Sequence, residues 1–191
     1  MTNFTPSVCI VGIGQMGLGI AKNIQNAGYL NSIFEINTSL LDELDNTENL
    51  VINDAEMGLK SSNILIFVVP STTQIRDFLF GSNWIDNIEE NTIIVDLTTS
   101  NPDETKRLSK ELNDRNISYI DCGMTGGAQG AEKGTLTLMM GGDGSVIKSA
   151  TPVLETFTNR LVHVGKVGSG HALKLIHNMV THTIFLSTVE G

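Results

Sequence analysis

The chain has 191 residues, of which 40% are hydrophobic and 19 are glycine, and its formal charge is −9. That length holds one large domain with a full core, or one domain and part of another, and the acidic balance without any run of Lys or Arg argues against a nucleic-acid partner. No stretch reaches the ~20 apolar residues of a membrane span and no signal-peptide pattern opens the chain, so the expected location is the cytoplasm.

Taken in order, apolar runs predict strands over residues 7–12, 32–36, 63–69, 92–96, 117–121, 136–140 and 161–164, with a weaker one near 49–52. Helical patterns fall between them, over 16–27, 40–44, 54–59, 73–80, 102–113 and 145–157. Runs such as ILIFVV and TIIVD are apolar throughout, which suits strands buried on both faces of a parallel sheet. The expected fold is therefore α/β, a Rossmann-type doubly wound and mostly parallel sheet, over residues 1–167. Cys9 and Cys122 fall in or beside strands and read as small buried hydrophobes.

Residues 168–191 break the alternation. The segment HALKLIHNMVTHTIFLSTVEG contains no Pro and no Gly before its last residue. Its apolar residues cover most of a helical circumference, leaving a polar sector with Lys174, His177, Thr181 and Thr188. A helix of that kind needs burial on several sides. The expectation is the start of a long helix that leads to an all-α domain absent from this chain, or that associates with another subunit in a homo-oligomer.

The chemistry begins in the turn Gly12-Ile13-Gly14-Gln15-Met16-Gly17, a G-x-G-x-x-G between a strand and a helix. In that setting the first glycine permits the tight turn, the second lets backbone approach a pyrophosphate, and the third lets the helix lie close on the strand. Amides at the helix start then face the phosphates. An acidic residue that binds the adenosine ribose is due about twenty residues further on, and Glu35 stands there. Its carboxylate repels a 2′-phosphate and no Lys or Arg follows in INTSLLDEL, so NAD is favoured over NADP. Three further strand ends offer ligand groups: Val69-Pro70-Ser71, Asp96-Leu97-Thr98-Thr99, and Asp121-Cys122-Gly123-Met124-Thr125-Gly126-Gly127. In the last, Gly126 and Gly127 expose amides beside the Thr125 hydroxyl, a donor nest suited to a carboxylate.

Together these segments resemble the β-hydroxyacid dehydrogenase family, which includes 3-hydroxyisobutyrate dehydrogenase and tartronate semialdehyde reductase. The resemblance rests on GIGQMGLGIAKNI, DLTTSNP, DCGMTGGAQGAEKGTLTLMMGG and GSGHALKLIHN, in that order. It implies a hydride transfer between NAD and a small 3-hydroxy acid. Lys174 would be the catalytic acid/base, Asn178 the substrate-orienting residue, and Thr125, Gly126 and Gly127 the hold on the substrate carboxylate. Val69, Pro70 and Thr99, with Gln74, would line the nicotinamide half of the cofactor site. His171, His177 and His182 match no catalytic position and read as packing or surface residues rather than metal ligands.

The chain departs from the family pattern most in length, since family members continue into an all-helical domain, and also at Thr98, which replaces serine, and in the substrate loop. Gly123 stands where the family often has proline, which predicts a looser substrate loop, and Met124 and Thr125 replace smaller residues. An alternative of another class is a truncated or non-catalytic NAD-binding module without turnover. Imine reductases share the architecture but generally lack the lysine, and enzymes of the 6-phosphogluconate type favour NADP, against which Glu35 argues.

Overall fold

The structure, a computed structural model, describes residues 5–190. Eight strands form one sheet: β1 (Val8–Val11), β2 (Leu30–Phe34), β3 (Val51–Ile52), β4 (Ile64–Phe67), β5 (Ile93–Asp96), β6 (Ser118–Thr125), β7 (Leu136–Gly141) and β8 (Thr158–Gly165). Their order is β3-β2-β1-β4-β5-β6-β7-β8. All pairs are parallel except β6 with β7. Seven helices accompany them: α1 (Gly17–Asn26), α2 (Ala55–Lys60), α3 (Thr72–Arg76), α4 (Pro102–Asn113), α5 (Gly127–Lys133), α6 (Gly144–Leu154) and α7 (Ser169–Glu190).

Side chains of a strand alternate between the faces of its sheet, and here both faces are covered. Ile10, Ile64, Ile66, Ile93 and Val95 enter one core with Ile20 and Ile24 of α1. Cys9, Val11, Leu65, Phe67 and Ile94 enter the other, with Leu59 of α2 and Leu108 and Leu112 of α4. The doubly wound, mostly parallel sheet expected from the apolar runs is thus present. Burial pushes the Cys9 thiol up to about 11, as befits a packing residue.

Several boundaries differ from expectation, each for a local reason. Residues 40–43 belong to a 3-10 turn over Thr38–Glu43, which buries none of its side chains, and Leu44 after it enters the core. Residues 73–80 divide into α3 and a π turn over Asp77–Gly81. The pattern over 145–157 ends at Leu154, and Phe157 fills the core before β8. β8 is longer than residues 161–164 because β7 pairs along its whole length. The largest change is in β6. It was expected to end at Asp121 but continues to Thr125, because Cys122–Thr125 pair antiparallel with Met140–Thr137 of β7.

Helix α7 packs its first turns on β6 and β7, where Gly170 and His171 are buried. Beyond them its apolar residues, among them Ile176, Met179, Ile184 and Phe185, stand exposed on this chain.

Candidate active site

The strand order reverses between β1 and β4, and in open α/β sheets ligands bind at the carboxyl edge beside such a switch point. The glycine turn lies there. Gly12 has φ +90°, and a Cβ on it would stand 2.5 Å from the Val68 carbonyl oxygen. A Cβ on Gly17 would stand 2.2 Å from the Gly12 carbonyl oxygen, so the helix–strand contact is backbone on backbone. Gly14 is different: a Cβ there meets nothing within 4 Å. Its surroundings are open on the side where a phosphate would approach. α1 has no side-chain cap and no acidic residue in its first turn, which leaves its dipole end free for an anion.

Glu35 follows β2 and is only 7% exposed. One carboxylate oxygen accepts the Ile13 amide at 2.7 Å and the other accepts the Asn37 amide at 2.8 Å. The Glu35 amide in turn donates to Asn53 Oδ1 at 2.7 Å, and Asn53 adopts the left-handed backbone (φ 53°) that asparagine tolerates. The carboxylate is therefore pinned across the glycine turn, with further lone pairs free to accept.

Beside it lies a cavity of about 310 Å³, bounded by Gly12 and Gly14, by Glu35 and the exposed Ile36, and by Val69, Pro70 and Gln74. A space of that size suits a nucleoside-sized group. Gln74 also closes a capping box with Ser71 at the start of α3, which fixes that wall. Phe34 and Phe78 line the cavity and touch Trp84 behind it, with ring centroids 5.1 and 4.5 Å apart. Val69, Pro70 and Gln74 share this space with Glu35. Ile13 contributes its amide, because its side chain is in the core. Gln15 and Thr99 are exposed and Met16 is half-buried, all outside this cavity.

At the other end of the edge, Thr125 ends β6, and Gly126 (φ +127°) and Gly127 (φ +63°) turn the chain into α5. Because Asp96 of β5 pairs with Asp121, Thr125 stands about 13 Å further along the strand direction at ~3.3 Å per residue. α5 is docked on α1: a Cβ on Gly19 would meet the Glu132 amide nitrogen at 2.6 Å, and Asn23 Nδ2 donates to the Ala131 carbonyl at 2.9 Å. The glycine turn and the Thr125-Gly126-Gly127 turn are thereby held on two helices in direct contact.

Lys174 lies over β6. A Cβ on Gly123 would fall 2.5 Å from Lys174 Cβ, so the lysine stem rests on strand backbone. Gly123 therefore does not loosen a loop; it sits in a paired strand and makes room for α7. The side chain is half-buried and forms no ion pair among the described residues. Burial lowers its pKa from the ordinary lysine value. Asn178, one turn on, is half-buried too. From β2, which leads into Glu35, to β6 under Lys174 there are four strand spacings of ~4.8 Å, about 19 Å in all.

A buried polar cluster behind the edge was not anticipated. Asp96, read as a ligand-facing carboxylate, is fully buried and turned inward. It accepts from the Thr98 amide and the Thr72 hydroxyl, both at 2.8 Å, and from the Tyr119 hydroxyl. His171 is fully buried, in keeping with a packing role, while His177 and His182 are exposed. The only sequence signal was a pair of acidic strand ends, which reads equally well as ligand-facing.

Residues 7–165 match the family described as the NAD binding domain of 6-phosphogluconate dehydrogenase. The chain belongs to that family. This NAD-binding domain is 26% identical over 185 residues to the NAD-dependent L-serine dehydrogenase of Pseudomonas aeruginosa, covering 96% of this chain and 62% of the relative. It is 32% identical to the mitochondrial 3-hydroxyisobutyrate dehydrogenase of Drosophila melanogaster, covering 97% and 57%. The chain therefore spans about three fifths of the length of these curated relatives. Its fold superposes with a TM-score of 0.85 on the 3-hydroxyisobutyrate dehydrogenase of Mycobacterium tuberculosis, at 23% identity and covering 93% of this chain and 60% of that one. No helix among the described residues is long and apolar enough to cross a membrane.

Proposed function

We propose that this NAD-binding domain serves an oxidoreductase acting on a small 3-hydroxy acid of the 3-hydroxyisobutyrate, serine or 2-hydroxy-3-oxopropionate kind, with Lys174 as general acid/base. The observation that carries the reading is Lys174 itself, a half-buried lysine with a lowered pKa. It stands across the carboxyl edge from a cavity that fits an adenosine. The residues present fit a dinucleotide: Gly14 leaves open the space a phosphate needs, and Glu35 offers lone pairs to ribose hydroxyls while its carboxylate would repel a 2′-phosphate. Gly12, Ile13, Gly14, Gln15, Met16 and Gly17 would cradle the pyrophosphate, with Val69, Pro70, Gln74 and Thr99 along its course. NAD supplies the hydride acceptor when bound.

The chain's own residues do the rest. Thr125, Gly126 and Gly127 would hold the substrate carboxylate, and Asn178 would orient the hydroxyl from the same helix face as Lys174. Burial disfavours the ammonium form, so more of Lys174 is neutral amine near neutral pH than for an exposed lysine. A neutral amine takes the hydroxyl proton during oxidation and returns it during reduction. Oxidation should therefore quicken as pH rises through the lowered pKa of Lys174.

For residues 1–191 by themselves, NAD binding without turnover is the second reading, supported by the exposed apolar face of α7 beyond Lys174. Residues 1–167 would then be the dinucleotide-binding unit, and 168–191 the start of a helix joining an all-α domain or a second subunit. The test is a screen of 3-hydroxyisobutyrate, L-serine, glycerate and tartronate semialdehyde against NAD and NADP, using the full-length protein. The expected result is turnover of at least one 3-hydroxy acid with a preference for NAD, narrowed or lost in Glu35→Ala. Turnover of none of them, or an NADP preference in the unaltered protein, would defeat the reading.

A further inference from the structure

The helix that carries Lys174 has no cap of its own. Gly168 stands at its N-cap position with φ +91° and no side chain to offer. The cap comes instead from the sheet. Asp121, fully buried on β6, accepts the Gly168 amide at 2.7 Å with one oxygen and the His171 amide at 2.9 Å with the other. Around this carboxylate the two layers meet without intervening side chains. A Cβ on Gly141 would fall 2.5 Å from Asp121 Oδ1, and one on Gly170 would fall 2.5 Å from the carbonyl oxygens of Asp121 and Met139. The third such contact is that of Gly123 with Lys174 Cβ.

His171 provides a second anchor. Its Nδ1 lies 2.8 Å from the Thr105 hydroxyl of α4, and its Nε2 faces Asp96 Oδ1 at 3.7 Å. The Thr105 hydroxyl has one proton and also lies 3.1 Å from the Asn101 carbonyl. If the proton goes to Nδ1, the neutral ring carries its own proton on Nε2. If it goes to Asn101, Nδ1 donates to the Thr105 hydroxyl and the neutral ring carries no proton on Nε2. In either arrangement the bond between Nδ1 and Thr105 ties α7 to α4, while Nε2 has no hydrogen-bond partner among the described residues.

We propose that Asp121 is a positioning residue for Lys174, with His171 as its second anchor, and that together they set how α7 is seated on β6 and hence where the amine stands. This rests on the reading of Lys174 as the proton-transfer group. His171, Lys174 and Asn178 share one helix face at spacings of three and four, so any slip or rotation at the cap is passed to the two residues assigned to the substrate.

Asp121→Asn keeps the size of the side chain but turns an NH2 toward one of the two amide donors. Burial raises the Asp121 carboxyl pKa despite those donors. Gly123→Ala disturbs the same seating from two residues further along β6, without altering Asp121, and serves if Asp121→Asn does not fold. Both variants of the full-length protein are compared with the unaltered one in three measurements. The first is NMR titration of 13C-methylated lysines, with Lys174 assigned through Lys174→Arg. The second is NADH affinity, read from the fluorescence of Trp84 behind the cavity. The third is kcat.

The Lys174 titration should move up toward that of an ordinary lysine, because a lifted α7 exposes the amine to water. NADH affinity should hold, while kcat falls about 10²-fold, the effect of a misplacement near 1 Å. An unmoved Lys174 titration with unaltered kcat in a folded variant would overturn the proposal. If the unaltered protein turns over no hydroxy acid, the functional reading fails, while the Lys174 titration still decides the positioning claim.

Discussion

Lys174→Ala is expected to lower kcat by about 10²–10⁴-fold, the usual worth of a positioned general acid or base, while leaving NADH affinity intact. The two effects separate because the cavity beside Glu35 does not include Lys174. Trp84 provides the binding readout: it touches Phe34 and Phe78, which line that cavity. The rise in oxidation rate with pH should vanish with the lysine. It stems from an amine whose charged form is disfavoured by burial and which has no carboxylate partner among the described residues. Retained kcat, or an unchanged pH profile, would mean that the proton leaves by another route.

Two glycines of one turn should fail in opposite ways. Gly17→Ala places a methyl group 2.2 Å from a backbone carbonyl that cannot swing aside, so α1 must lift from β1. Overpacking of this kind costs about 1–3 kcal/mol or more, visible as a lower urea midpoint, and it should weaken NADH binding as well. Gly14→Ala meets open space, so its stability should match or slightly exceed that of the unaltered protein. Its NADH affinity should nevertheless fall, because the methyl group occupies the approach of the pyrophosphate. Normal NADH binding by Gly14→Ala would show that the phosphates do not lie there.

The sheet was legible because strands buried on both faces leave unbroken apolar runs, as in ILIFVV, and because a G-x-G-x-x-G names the first turn. Glu35 was legible by its distance from Gly14. Spacing also explains what was misread. Nothing local distinguishes Asp96, which turns inward, from a strand-end carboxylate that faces a ligand; only Tyr119, Thr72 and His171, brought in from three other segments, decide it. The same holds for Gly123. Beside a motif that often carries proline it read as a loosened loop, whereas its role is set by a helix that begins more than forty residues later. Antiparallel pairing with β7 extended β6 past Asp121, and that partner strand could not be inferred from the segment itself.

On the proposed reading a dinucleotide runs along the carboxyl edge of the sheet, from Glu35 beside the glycine turn to Lys174 above β6. A crystal structure of the full-length protein with NAD tests it most directly. The expected result is ribose hydroxyls on Glu35, the pyrophosphate over Gly14 and the nicotinamide ring beside Lys174. A dinucleotide lying the other way round, or a nicotinamide ring out of reach of Lys174, would contradict it.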